Sequence, residues 1–182
     1  MLQITIPATE SWDELKEEFI TVGKEQTITL EHSLVSLSKW ESKWCKAFFN
    51  NKVENTYEEV IDYIRCMTIT QNVDSSVYER LTRDNIKAIN SYIDAPMTAT
   101  TFSNVHRKGG GKENITSELI YYWMISFNIP MECQKWHINR LLTLIRICDI
   151  KNTPPKKMSR REVINQYAAL NASRKKQMNS TG

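Results

Sequence analysis

Five Ser/Thr-x-x-Glu tetrads punctuate this chain: Ser11–Glu14, Ser38–Glu41, Thr56–Glu59, Ser76–Glu79 and Ser159–Glu162. In each, the hydroxyl can accept from the backbone N–H three residues on, while the glutamate reaches back to the first residue's own N–H. Two donors that a helix start would otherwise strand are satisfied together, so repeated tetrads predict a mainly α fold. Helices are expected at about 11–22, 38–49, 56–67, 76–82 and 84–93. Gly23 is expected to stop the first of these.

Two more helices follow from periodicity, at about 116–128 and 130–149. Pro130 suits a first helical turn, where its missing N–H is of no consequence. Beyond it His137, Ile138, Leu141, Leu142, Ile145 and Cys148 recur at spacings of three and four, which gives one apolar face. Alternation in LQITI (2–6) and TITLEH (27–32) predicts a pair of N-terminal strands, and MTATTF (97–102) a further short one. The expected architecture is a helical bundle with a small β element. The glycine run Gly109-Gly110-Gly111 is read as a loop.

Charge divides the chain. From Lys151 onward eight Lys and Arg face Glu162 alone, a net of +7, which leaves −4 over residues 1–150. A globular body (1–150) and a basic C-terminal helical arm (151–182) are expected, hinged at Thr153-Pro154-Pro155. Hydrophobic residues make up 41% of the chain, enough for a core. No apolar run reaches the roughly 18 residues that a membrane span requires. The opening MLQITIPATESWDELKEEF turns acidic at once and is not expected to be a secretory signal. Cys45, Cys66, Cys133 and Cys148 are widely spaced within apolar patterns, as in reduced thiols of a cytoplasmic protein.

Chemistry is hard to find. Cys133 and His137 stand four apart, so on one helix they would share a face, but a zinc ion needs three or four ligands. No further ligand falls at metal-site spacing, and His32 and His106 are isolated. An activated thiol wants an electropositive, partly open setting, whereas Met131, Trp136 and Ile138 point to packing. Gly109–Lys112 lacks the spacing of a phosphate loop, and Glu17/Glu18 and Glu58/Glu59 are too close in sequence to converge on one helical face. Neither enzyme activity, nor a metal, nor a cofactor is expected.

The aromatics are more informative. Trp40, Trp44, Phe48 and Phe49 recur at helical spacing, as do Tyr122, Trp123 and Phe127, with Trp136 beyond. Most belong in a core, yet any left at the surface would anchor a partner. Candidate contacts are Trp40, Trp44 and Trp136, together with Lys156, Lys157, Arg160, Arg161 and Tyr167 of the arm. The arm's Val163, Ile164, Tyr167, Ala168 and Leu170 form a partial apolar stripe with basic flanks, suited to an acidic protein partner. Nucleic acid fits less well, because the body is acidic and the arm holds one aromatic.

The strings SLSKWE, MTAT, YYWM, CQKWH-NRLLTLI and KKMSRRE, spread from Ser33 to Lys176, resemble a group of tailed-bacteriophage proteins encoded among tail genes, the siphophage-type tail assembly chaperones and virion-associated proteins. The resemblance implies a non-enzymatic role. A tail assembly chaperone coats the aggregation-prone tape-measure protein until tube subunits polymerise around it. The implied partners are the tape measure, tail tube or neighbouring structural subunits, with a homo-oligomer compatible, in the host cytoplasm or the virion. A structural component such as a connector, tail-completion or baseplate-associated protein is the alternative it carries. A nucleic-acid-binding regulator is a third.

Overall fold

A computed structural model describes residues 1–14, 17–49, 54–102, 114–153 and 160–178. The chain divides into two units, Met1–Asp149 and Ile150–Gly182.

The first unit opens with a long antiparallel ribbon. Strands β1 (Leu2–Ile6) and β4 (Gln26–Leu30) pair in the register Leu2↔Leu30, Ile4↔Ile28 and Ile6↔Gln26. The period-two pattern puts Ile4, Ile6, Ile28 and Leu30 inward, while Thr5 and Thr27 join their hydroxyls outside at 3.0 Å. Strands β2 (Thr9–Asp13) and β3 (Glu18–Gly23) continue the ribbon outward as a second pair. Arg80 grips the junction, its Nη1 donating to the Pro7 and Lys24 carbonyls at 3.0 and 3.2 Å. Its guanidinium lies so close to Gly23 that a Cβ there would sit 2.5 Å from Cζ.

The helix expected over 11–22 is therefore two strands. The tetrad Ser11–Glu14 satisfies the capping pattern, but Ile20-Thr21-Val22 is β-branched throughout, and the ribbon already fixes the register that sets Trp12 opposite Phe19.

Helices follow in chain order: α1 (Leu34–Trp44), α2 (Tyr57–Met67), α3 (Ser76–Glu79), α4 (Arg83–Asp94), α5 (Ser117–Ser126) and α6 (Ile138–Asn152). The mainly helical character with a small β element stands, and several boundaries move. Among the tetrads that lie within the described residues, only Thr56–Glu59 forms the expected reciprocal cap. Helix α1 starts earlier than expected, capped by Ser33 and Ser36, so Glu41 is left free for a different task. At α3 the Ser76 N–H goes instead to Asp74 Oδ1 at 2.8 Å. Pro130 starts a 3-10 turn (Met131–Lys135) rather than a long helix, and α6 begins only at Ile138. Met97–Phe102 is not a strand. Met97 takes φ 49° and Thr98 Oγ1 accepts from the Thr100 N–H, which together bend the run out of extended geometry. The Gly109–Lys112 loop and the Ser159–Glu162 tetrad fall on or across residues outside those described.

Two apolar clusters share helix α1 as a wall. Trp40 enters the first, with Ile4, Ile6, Ile28 and Leu30 of the ribbon and Ile61, Ile64, Met67 and Ile89 of α2 and α4. Leu34 and Leu37 enter the second, with Ile120, Met124, Ile138, Leu141 and Ile145. Phe48 packs against both. On α1 itself the buried Glu41 carboxylate fastens the second cluster, accepting from the Phe48 N–H at 2.8 Å and from the Ser117 N–H at 2.7 Å in the first turn of α5. A carboxylate suits that place, where the helix presents free N–H groups and the positive end of its dipole.

Helix α1 ends at Cys45, which adopts φ 51°, ψ 36° and is exposed. That left-handed conformation strains any residue with a Cβ and favours glycine. Cys45→Gly is expected to stabilise the fold by about 0.5–1 kcal/mol. A raised urea midpoint with unchanged slope is the measurement, and a lowered midpoint refutes the strain.

The second unit contains α7 (Arg160–Met178) among its described residues. No helix among the described residues is long and apolar enough to cross a membrane.

Candidate functional site

Polar chemistry in the body concentrates where the two clusters meet. The segment Glu31-His32-Ser33 leaves β4 and enters α1. It is held on one side by the Glu31 N–H to Met67 carbonyl bond (2.9 Å) and on the other by the Ile138 N–H to His32 carbonyl bond (2.7 Å). A bridge between Ser33 and His137 completes the attachment, so the backbone itself brings the two histidines together. Their rings meet edge to face at 5.0 Å.

Each imidazole is already engaged. His32 Nδ1 lies 2.5 Å from the Tyr63 hydroxyl. His137 Nε2 lies 3.0 Å from the Tyr92 backbone carbonyl, which can only accept, so this nitrogen carries the proton. His137 Nδ1 then accepts from the Asn139 N–H at 3.3 Å. Nearby, the Tyr92 hydroxyl donates to Glu31 Oε1 at 2.7 Å, and the Asn139 amide donates to the Ile93 and Ala95 carbonyls, both at 2.9 Å.

Burial sets the protonation states. It lowers the His32 pKa to about 3, with the neighbouring His137 adding to the effect. His137 is also lowered, by burial first, while the Tyr92 carbonyl and Glu31 oppose the shift. Burial raises the Tyr63 hydroxyl well above its ordinary value. At neutral pH the pair is uncharged and closed off from solvent, with His32 only 1% and His137 4% exposed. A general acid or base must reach a substrate, and both rings are closed off from solvent. The motif is interior scaffolding that joins two cores.

Cys133 and His137 do not share a helix. Cys133 sits in the 3-10 turn, buried in the second cluster, and His137 precedes α6. Among the described residues no group of three His, Cys, Asp or Glu side chains could hold a metal ion. Burial raises the pKa of Cys66, helped by Asp62, so its thiol is not activated.

The candidate contacts scatter. Trp40 is interior, 1% exposed, with its Nε1 donating to the Glu59 carbonyl at 2.9 Å, and this removes it from any surface. Trp44 is half-buried beside an open cleft of about 350 Å³, where its Nε1 and the Lys43 ammonium both donate to Asp62, at 2.9 and 2.5 Å. Trp136 is half-buried with the Arg140 guanidinium 4.1 Å above its ring, a geometry that leaves part of an aromatic surface open. Arg160, Arg161 and Tyr167 are exposed on α7. Lys156 and Lys157 lie outside the described residues.

The most exposed aromatic pair escaped the sequence reading. Trp12 and Phe19 face each other across β2 and β3, ring centroids 5.1 Å apart and edge to face, 51% and 68% exposed. Reading 11–22 as a helix hid the pairing, and the β-branched run after Phe19 was the available signal. Tyr122 and Ile125 on α5 are also exposed, at 63% and 66%. No family model, no curated protein and no solved structure matches this chain.

Proposed function

We propose that this protein is a non-enzymatic binding protein acting in phage tail morphogenesis, where it holds tail proteins such as the tape measure or tube subunits during assembly. The single observation that supports binding over catalysis is a contrast in accessibility. His32, His137 and Tyr63 at the junction of the two cores are engaged and buried, with Tyr92 half-buried beside them, whereas Trp12, Phe19, Tyr122 and Ile125 lie open. Large apolar side chains in water are what partner-binding surfaces present. The tail assignment rests on the resemblance of residues 33–176.

Co-expression with each neighbouring tail protein, followed by affinity isolation, tests the reading. The expected result is co-purification of one tail protein, weakened about tenfold or more when the exposed Tyr122 or one of the half-buried candidates Trp44 and Trp136 is truncated. Failure of every tail protein to co-purify overturns it. Purified virions separate a chaperone, absent from them, from a structural subunit present at fixed stoichiometry.

A further inference from the structure

The charge asymmetry has an unexpected address. Thr9–Gly23 holds Glu10, Asp13, Glu14, Glu17 and Glu18 against Lys16 alone, a net of −4. Residues 1–149 as a whole also sum to −4, so the rest of the body is neutral. All of the body's excess negative charge is therefore carried by the outer hairpin. Glu10, Glu14, Glu17 and Glu18 are exposed, in the same segment as the open Trp12–Phe19 pair. Such a surface selects a partner that is apolar and cationic at once, since cations are drawn to the faces of aromatic rings and to carboxylates alike.

Helix α7 has the complementary composition. Ile164, Tyr167 and Leu170 are exposed at 58%, 63% and 45%, spaced by three residues along one side. Arg160 and Arg174 stand fourteen residues apart, close to four full turns, so they bracket that side at its two ends. Their separation along the axis is about 21 Å, against about 16–20 Å for a strand of five or six residues. Charge, apolar content and length match.

We propose that the acidic aromatic hairpin β2–β3 of one molecule binds the basic helix α7 of a second copy. The contact joins two different surfaces, so each molecule that binds still has one of them free. Such a heterologous contact links molecules head to tail, into rings where the rotation closes and open chains where it does not. It requires no foreign partner, and its failure would leave the binding of tail proteins untouched.

The full-length protein is measured by sedimentation velocity over a wide concentration range, at low and high salt. Self-association that grows with concentration and weakens with salt is expected, because the charges involved are exposed and screened. Two variants follow: Trp12→Ser with Phe19→Ser, and Arg174→Glu with Lys175→Glu and Lys176→Glu. Each is expected to weaken self-association about tenfold or more, as loss of a central anchor does. Mixed, they are expected to form a dimer and nothing larger, because only one intact hairpin and one intact helix remain between them. Glu10→Lys with Glu14→Lys, which keeps the aromatic pair, supplies a second hairpin variant should the first disturb the strands. A monomer at every concentration, association that ignores these substitutions, or a mixture that stays monomeric overturns the proposal.

Discussion

Trp40→Ala is expected to destabilise the fold by about 3–5 kcal/mol, the range for emptying a fully buried aromatic site. The indole touches Phe48 edge to face at 5.5 Å and Tyr63 at 6.2 Å, and it satisfies the Glu59 carbonyl. Truncation opens a cavity in the first cluster and removes one of the bonds that tie α1 to α2, leaving those of Lys43 and Trp44 to Asp62. Glu59 is also the capping residue of α2 and the partner of Lys46, so the damage reaches a helix start. Small domains hold only about 5–15 kcal/mol in total, and a loss of this size takes a large share of it. Trp44→Ala and Trp136→Ala, at half-buried positions, are expected to remove about 1–2 kcal/mol each. Urea titrations of the three variants provide the check. A Trp40→Ala protein as stable as the other two would mean that the indole does not hold α1 against the ribbon. The difference also governs functional assays: lost binding in Trp40→Ala reports unfolding, whereas Trp44 and Trp136 report on contacts.

What the sequence disclosed follows from the range of the forces involved. Helices α2 and α4 were readable because local hydrogen bonding and apolar spacing agree there, with Thr56 and Glu59 forming the cap their spacing implies. The ribbon β1–β4 was readable because alternation in LQITI and QTITL matches a half-buried sheet. The errors came where a local pattern competed with a partner distant in sequence. Ser11–Glu14 has the letters of a cap, but the pairing of Trp12 with Phe19 holds the segment extended. Ser38–Glu41 was misread because Glu41 is taken up by Ser117, 76 residues away. The histidine junction was out of reach for the same reason: His32 and His137 are 105 positions apart, and a backbone bridge between Ser33 and His137 is what joins them. Nothing in either local string encodes that meeting. Tryptophan count signalled that aromatic surface existed, but burial alone decides which indole is wall and which is surface, and Trp40 falls on the inner side.

That same junction makes stability depend on mild acid. The folded pKa of His32 is lowered to about 3, below its value of about 6.5 in an unfolded chain. Between those two values the unfolded chain takes up a proton that the native state refuses, so stability is full above pH 6.5 and falls as pH drops below it. At pH 5, some 1.5 units under the unfolded value, the loss from His32 is about 2 kcal/mol. His137 is shifted in the same direction and adds to it. The carboxylates whose pKa values are lowered, Glu59, Asp74 and Glu118, have ordinary values at or below 4.5 and lose their contribution only at still lower pH. A decline between pH 6.5 and 5 therefore belongs to the histidines. Urea midpoints at pH 7.5 and 5.0 measure it, with His32→Gln as the control. The amide keeps a polar partner near Tyr63 but does not titrate, so the variant is expected to start less stable and to lose less on acidification. Equal midpoints at the two pH values in the unaltered protein would show that the native fold admits the proton, and the sealed junction would have to be abandoned.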